Sequence, residues 1–423
     1  MIKMLIIADD FTGALDTGVK FSAAGFITKV VTDSEIDFAA ETAEEVLVLC
    51  VPTRHIPPKD AYSAIRAITE RAVAAGIHCI FKKTDSALRG NIGAEISAVL
   101  DGSGQRSISF IPALPAVNRT TRAGVHYIDG VPVHESVFGK DPFEPVTESY
   151  VPDLLRRQCD VPIHLVSRSH MEQLHPGQER CIYVFDCTTR EDLEAEVRML
   201  YQHDQLKVLA GCAGLAESLP PYLGISQEKR STSPAVNRLM VVCGSINPIS
   251  CAQMDYAERH GFQRIHIPTE QLLDDKGLTE GAGRALIDQL WKAFCLSEYL
   301  IIDTQESDID EIVARTSLTR EEIRQRFSSR IGAILKTLMD RGADSRFLIV
   351  GGDTLLAFME AIHCREIYPV CELQPGVVYS RIAYGNRKYE VISKSGGFGE
   401  KDILVALQDM PPIERNGMDA VVV

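Results

Sequence analysis

Short, continuous apolar runs alternate along the chain with longer amphipathic stretches. Met4-Leu5-Ile6-Ile7-Ala8, Ile27–Val31, Val46–Val51, Ile77–Phe81 and Ser107–Ile111 each read as a strand buried on both faces. Ala14–Ala24, Lys59–Ala75 and about Gly93–Leu100 carry helical spacing between them, and Gly25 and Gly76 close the first two. Strand and helix in alternation predict a parallel sheet covered by helices. Polar residues gather where the runs end: Asp9-Asp10, Pro52-Thr53-Arg54-His55, and the stretch Lys82 to Glu95. The carboxyl ends of parallel strands share one edge, so residues distant in sequence can line one site there.

From Pro112 to Tyr150 the pattern changes to Pro, Gly, His and β-branched residues. Asp129-Gly130 between two apolar pairs is a hairpin signal. Such a segment serves function or forms a peripheral contact, and the second reading makes it the candidate contact of a homodimer. A helix starts at Val151, and strands follow at Cys181–Phe185 and Leu206–Ala210. Gln227–Pro234 is polar with no apolar anchor and reads as a linker. Beyond it the pattern restarts, with strands at Arg238–Cys243, Tyr299–Ile302 and Arg346–Val350. Helices are expected at about Ser250–His260, over Thr319–Arg341 and through Ala361. The expected architecture is α/β with two domains, 1–228 and 236–423. Each is a largely parallel sheet flanked by helices, with an active-site cleft between them.

Length and charge sharpen this picture. At 423 residues the chain exceeds one ordinary core. Its net charge of −14 disfavours nucleic acid and anionic membranes as partners, so an anionic ligand needs a local basic pocket. No run approaches a membrane span. The eleven cysteines contain no C-x-x-C pair and several lie inside apolar runs. They read as buried thiols in a reducing compartment, and the cytoplasm is the expected location.

Two groups of residues carry candidate chemistry. In the first half, Lys82, Lys83, Asp85 and Arg89 fall within eight residues, beside Thr84. They either face a ligand or form a solvated loop with Lys83–Asp85 as a local ion pair. Arg54 and Arg89 can hold a carboxylate bidentately, and the lysines attract anions as point charges. Asp9 and Asp10 can bind hydroxyls, although Asp10 also stands where a helix N-cap belongs. Cations for a carboxylate and aspartates for hydroxyls suit a small polyhydroxylated acid. In the second half, Gly244-Ser245, Gly351-Gly352-Asp353-Thr354 and Gly396-Gly397-Phe398-Gly399 each precede an expected helix. Glycines admit phosphate to the backbone and helix N-termini favour anions, so a nucleotide is the economical ligand. Neither G-x-x-x-x-G-K-[ST] nor the dinucleotide fingerprint occurs.

Ile7 to Ala14, Lys82 to Glu95, Gly351 to Thr354 and Lys394 to Gly399, in this order, resemble the four-carbon acid sugar kinase family. The resemblance spans nearly the whole chain. It implies an N-terminal substrate domain, a C-terminal nucleotide domain, and transfer from ATP to the terminal hydroxyl of a tetronate or 3-oxo-tetronate. It places the substrate at Asp10, Arg54 and Lys82 to Asp85, and ATP at Ser245, Gly351 to Thr354 and Gly396 to Gly399. Mg²⁺ is expected with the phosphates, at ligands the sequence leaves unassigned. D-threonate is the favoured acid, then D-erythronate, with a 3-oxo-tetronate kinase or a non-catalytic sensor as alternatives. Asp10 or Asp85 would orient and deprotonate the attacking hydroxyl.

Overall fold

The computed structural model describes residues 2–41, 43–141, 144–167, 179–224, 230–232, 238–244, 247–274, 277–304, 309–408 and 414–416. The chain divides into two compact units, Met1–Gln227 and Glu228–Val423.

The first unit runs β1 (Met4–Ala8), α1 (Phe11–Ala23), β2 (Thr28–Val31), β3 (Val46–Cys50), α2 (Pro58–Ala74), β4 (Ile80–Lys83), α3 (Ile92–Ser103) and β5 (Ser107–Ile111). A small antiparallel meander follows, β6 (Arg119–Arg122), β7 (Val125–Ile128) and β8 (Val131–Pro132). Then come α4 (Val151–Arg156), β9 (Ile163–Val166), β10 (Cys181–Phe185), α5 (Arg190–Gln202), β11 (Val208–Gly211) and α6 (Ala213–Ser218). The main sheet has the order β2-β3-β1-β4-β11-β5-β10-β9, parallel throughout. Its apolar strands are buried on both faces, as continuous runs require. On one face Leu5, Ile7, Leu47 and Leu49 pack with Ile65 and Ile68 of α2 and Ile96 and Leu100 of α3. Cys50, Ala8, Lys83, Gly211 and Ile111 stand level on five adjacent strands. The polar ends that follow them therefore meet at one edge.

Two expectations need correction here. β4 starts at Ile80, three residues after the expected Ile77, and includes both lysines. Its ladder with β1 pairs Ile7 with Lys82 and Ala8 with Lys83, so these charges lie in the sheet rather than in a loop. The Pro112–Tyr150 segment carries regular structure in its first half: the expected hairpin forms, with Asp129 and Gly130, both at positive φ, as the two-residue turn between β7 and β8. Asp186, just after β10, accepts from the N–H groups of Ala123 and Gly124 and fixes the meander to the sheet.

In the second unit, β12 (Arg230–Thr232) is the described part of the expected linker and pairs with a strand at the chain's far end. There follow β13 (Leu239–Cys243), α7 (Pro248–Arg259), β14 (Gln263–Ile267), α8 (Thr269–Leu273), α9 (Gly281–Leu296), β15 (Tyr299–Thr304), α10 (Ile309–Thr316) and α11 (Arg320–Asp340). The rest is β16 (Arg346–Val350), α12 (Gly352–Ala361), β17 (Glu366–Gln374), β18 (Val377–Tyr384), β19 (Arg387–Lys394), α13 (Ile403–Ala406) and β20 (Glu414–Asn416), the partner of β12. A capping box between Thr319 and Glu322 starts α11. Strands β14-β15-β13-β16-β19 are parallel, and β18 and β17 continue antiparallel. The β17–β19 meander has no counterpart in the sequence reading. Pro369 and two register shifts in β17 break the alternation that marks a strand.

Candidate active site

In the first unit the carboxyl edge gathers a compact set of charges. Arg54, on the turn after β3, donates from Nε to Asp9 Oδ2 at 2.8 Å, and its Nη2 lies 2.7 Å from Asp10 Oδ1 and 3.7 Å from Asp85 Oδ1. Lys83 Nζ stands 3.8 Å from Asp10 and 4.0 Å from Asp9. Burial would raise the Asp9 carboxyl, but Arg54, Lys83 and Lys82 outweigh it and hold it below the usual value. Asp10 occupies the N-cap position of α1 yet makes no capping bond with its side chain. That carboxylate is turned instead to Arg54 and Lys83. Arg54 Nη2, Asp9 Oδ1, Asp10 Oδ1 and Thr84 Oγ1 are buried without an aligned hydrogen-bond partner. Three of these atoms meet ion-pair partners out of hydrogen-bond alignment and the Thr84 hydroxyl has none, and buried hydrogen-bonding capacity left unspent on three neighbouring turns makes this edge the candidate ligand position.

Asp85 has a different role from the local pair with Lys83. Its two oxygens take the Arg89 fork at 2.9 and 3.0 Å, and one also accepts from the N–H groups of Ala87 and Arg89. Burial opposes ionisation, yet Arg89 and Arg54 together hold this carboxyl well below its ordinary range. Leu88 and Gly90 have positive φ within the same turn. A side chain at Gly90 would meet Arg54 Cγ at 2.9 Å, so glycine there lets the turn close against Arg54. Asn91 donates to the carbonyls of Thr53 and Ile56, tying the Arg54 turn to the start of α3.

Lys82 is turned away from this edge. Its ammonium is fully buried and contacts the carbonyls of Ile7 and Lys83 and Glu95 Oε2, the last at 2.8 Å. The expectation that Lys82 meets a ligand therefore gives way to a core ion pair. Thr84 is also fully buried and reaches the site only through its orphan hydroxyl.

Sequence reasoning missed several contributors. Gly13, in the first turn of α1, leaves room for Lys83 and Asp10: a Cβ there would lie 2.3 Å from Lys83 Nζ and 2.4 Å from Asp10 Oδ1. Gly13→Ala is expected to push the two apart and reduce kcat/KM about 10²-fold, by displacement of positioned groups. Steady-state assays would check it, and a variant within threefold of the parent would refute the close-approach role. Arg119 of β6 contacts Ser86 and stacks on Phe138, whose other side carries Arg89. His126 bridges Thr121 and the Ser86 carbonyl, and burial pushes it down to about 4, so it is a neutral structural histidine. The meander thus walls the site, a role that its sequence left open. A cleft of ≈ 350 Å³ shares Arg54 and Arg89 with this cluster and is lined further by His55, Asn91, Glu144 and Arg157. The unspent polar atoms lie in the carboxylate cluster, which makes it the candidate reacting part.

In the second unit the glycine turns follow three neighbouring strands. Cys243, Val350 and Lys394 are level on β13, β16 and β19, so Gly244, Gly351 and Ser395 leave the sheet side by side. Gly351 has φ 105 and precedes α12, whose first N–H groups open onto this edge at Gly352 and Asp353. Thr354 is buried and serves the turns rather than the surface: a Cβ on Gly244 would meet its hydroxyl at 2.3 Å. Ser245 lies outside the described residues.

The third turn differs from expectation. Only the four-residue α13 follows it, from Ile403, so Gly396 to Gly399 gain no helix N-terminus. Side chains of α7 hold this turn instead. Ser250 donates to the Gly396 carbonyl at 2.7 Å, and Gln253 Nε2 reaches the carbonyls of Phe398, Gly399 and Glu400 at 3.1, 2.7 and 3.0 Å. With its carbonyls drawn to α7, the turn keeps the Gly397 and Gly399 N–H groups free of backbone acceptors among the described residues. Free backbone N–H groups in a turn are what an anion can use. Phe398 packs against Gly376 in the β17–β18 turn, fixing the loop rather than offering polar contacts. Two other charges at this edge are taken: Asp303 by Arg264 and His266, and Asp353 by Arg324.

The comparisons with known proteins match each unit separately. A family model described as a sugar-binding N-terminal domain matches residues 4–219, and one described as a nucleotide-binding C-terminal domain matches residues 240–404. A D-threonate kinase of Salmonella typhimurium is 26% identical, over 95% of this chain and 97% of its own. A D-erythronate kinase of Heliobacterium modesticaldum is 25% identical over 95% of each chain. A 3-oxo-tetronate kinase of Salmonella typhimurium is 25% identical, over 96% of this chain and 99% of its own.

Proposed function

The chain belongs to the four-carbon acid sugar kinase family, and from that premise we propose that it phosphorylates the terminal hydroxyl of D-threonate, with D-erythronate the next substrate. The observation that carries this reading is the convergence of Arg54, Lys83, Asp9, Asp10 and the unpartnered Thr84 hydroxyl at one sheet edge. Arg54 Nη2 and the Lys83 ammonium suit a carboxylate or an ionising hydroxyl, and Asp9, Asp10 and Thr84 suit neutral hydroxyls. A four-carbon acid carries both kinds of group within one small molecule.

Asp10 is the base in this proposal. It is the most open carboxylate of the cluster, 28% exposed against 2% for Asp9 and 8% for Asp85. Asp85, engaged by Arg89 and two N–H groups, positions Arg89 and Arg54 for the acid. ATP would lie on the Gly244, Gly351 and Gly396 turns. The helix start at Gly352 and the N–H groups of Gly397 and Gly399 fit its phosphates. Mg²⁺, bound by those phosphates, would supply charge neutralisation during transfer. Phosphoryl transfer asks mainly for positioning and electrostatic stabilisation, which is what these turns offer.

The test is ADP release with D- and L-threonate, D- and L-erythronate and the 3-oxo-tetronates, each at saturating ATP. D-threonate is expected to give the highest kcat/KM. Preference for a 3-oxo acid would overturn the substrate assignment, and ATP binding without turnover on any acid would overturn the kinase reading.

A further inference from the structure

Among the described residues, Lys394 is a long cation buried at the nucleotide edge with no role assigned above. It ends β19, directly before the glycine turn, and is 1% exposed. Its main chain is held from both sides. The carbonyl accepts from Gly351 N–H, and the residue pairs with Val350 on β16 and Val377 on β18. The Nζ contacts the Ser395 carbonyl at 3.1 Å, and among the described residues no carboxylate pairs with it. Its Cε would lie 3.6 Å from a side chain at Gly399, so the ammonium stem passes against the glycine turn. A second orphan stands beside it: Gln253, fully buried and also in contact with Gly399, keeps Oε1 without a partner.

A buried ammonium without a counter-ion is costly, and such a group is retained where a ligand supplies the charge. Two acids of this sheet edge, Asp303 and Asp353, are committed to Arg264 and Arg324. Phosphate-binding glycine loops elsewhere carry a lysine after their glycines, and this chain has no such sequence. Here the lysine precedes them, in Lys394-Ser395-Gly396-Gly397.

We propose that Lys394 is the phosphate counter-charge of the nucleotide site, set under the Gly396–Gly399 turn and satisfied only when a nucleoside di- or triphosphate lies on it. This rests on the nucleotide reading above and goes beyond it by naming the cation. Burial already pushes the ammonium down to about 8, in keeping with a charge that lacks a partner in the free protein. A lysine kept for the fold and a lysine kept for phosphate differ in one measurable respect. Removing the first lowers stability, whereas removing the second relieves an unpaired buried charge.

The test compares Lys394→Met with the parent full chain in two measurements. Calorimetric titration with ATP, ADP and adenosine reads the ligand's phosphates separately from its base. ATP and ADP affinities are expected to fall about 10–100-fold, the range of one hydrogen bond to a charged group, with adenosine within twofold. Thermal unfolding of the ligand-free variant is expected at or above the parent midpoint, with the ATP-induced rise lost. Unchanged ATP affinity overturns the proposal. So does an equal loss for adenosine, or a ligand-free midpoint lowered by several degrees, since both report a structural lysine. A parent that binds no ATP overturns the nucleotide reading itself, whereas a parent that binds ATP and a variant that binds it equally overturn only the role of Lys394.

Discussion

Asp10→Asn is expected to lower kcat about 10²–10⁴-fold, the usual contribution of a positioned general base, while ATP affinity stays within twofold of the parent. The change keeps the shape of the side chain and its place beside Arg54 Nη2 and Lys83 Nζ. It removes the proton acceptor that the acid's hydroxyl would meet. Asp85→Asn makes the contrast. Its carboxylate holds the Arg89 fork and two N–H groups, so its loss loosens the turn that presents both arginines. The expected signature is a higher KM for the acid and lower stability, with a smaller fall in kcat. Steady-state kinetics at saturating ATP separates the two, because a base acts on kcat and a positioning carboxylate acts on binding. A kcat for Asp10→Asn within tenfold of the parent, beside a collapsed kcat for Asp85→Asn, would exchange the roles.

The parallel strands and the edge they share were legible because strands buried on both faces must be apolar along their whole length. Met4–Ala8, Ser107–Ile111 and Cys181–Phe185 show this in the chain, and all three form at their expected bounds. The site residues on the turns were legible for the same reason: charge at the end of such a strand stands out. Two things were hidden. One is the direction of adjacent side chains. Lys82 and Lys83 look alike in sequence, yet alternation along β4 sends one into the core and the other to the edge. The other is long-range packing. Gly13 and Arg119 reach the cluster from separate elements, Glu95 meets Lys82 behind it, and Gln253 shapes a turn some 145 residues away along the chain. No local pattern carries that information. Glu95 alone left a trace, since a buried lysine demands an anion and Glu95 is the acid in the first turn of the following helix.

The pair formed by Lys82 and Glu95 leads to the second large effect. Lys82→Met is expected to cost about 3–5 kcal/mol of unfolding free energy, because it strands a buried carboxylate. Both groups are essentially unexposed, and their oxygen and nitrogen are 2.8 Å apart. Adding Glu95→Leu should restore most of the loss, since a buried pair replaced by apolar side chains is often neutral in stability. Urea unfolding of the single and double variants measures this directly. The pH dependence follows from Glu95, whose carboxyl burial already raises above its ordinary 4.5 with Lys82 in place. Without Lys82 it rises further. A folded value above the unfolded one stabilises the protonated form below 4.5, and that contribution is lost as pH rises through the folded value. The Lys82→Met deficit should therefore be smallest in acid and grow toward neutral pH, while the double variant shows no such slope. A lysine that binds the acid predicts the reverse: near-normal stability at every pH, an increased KM, and no rescue by the second substitution. Rescue of stability together with recovery of turnover would place Lys82 in the support of the site and leave acid recognition to Arg54, Lys83 and Arg89.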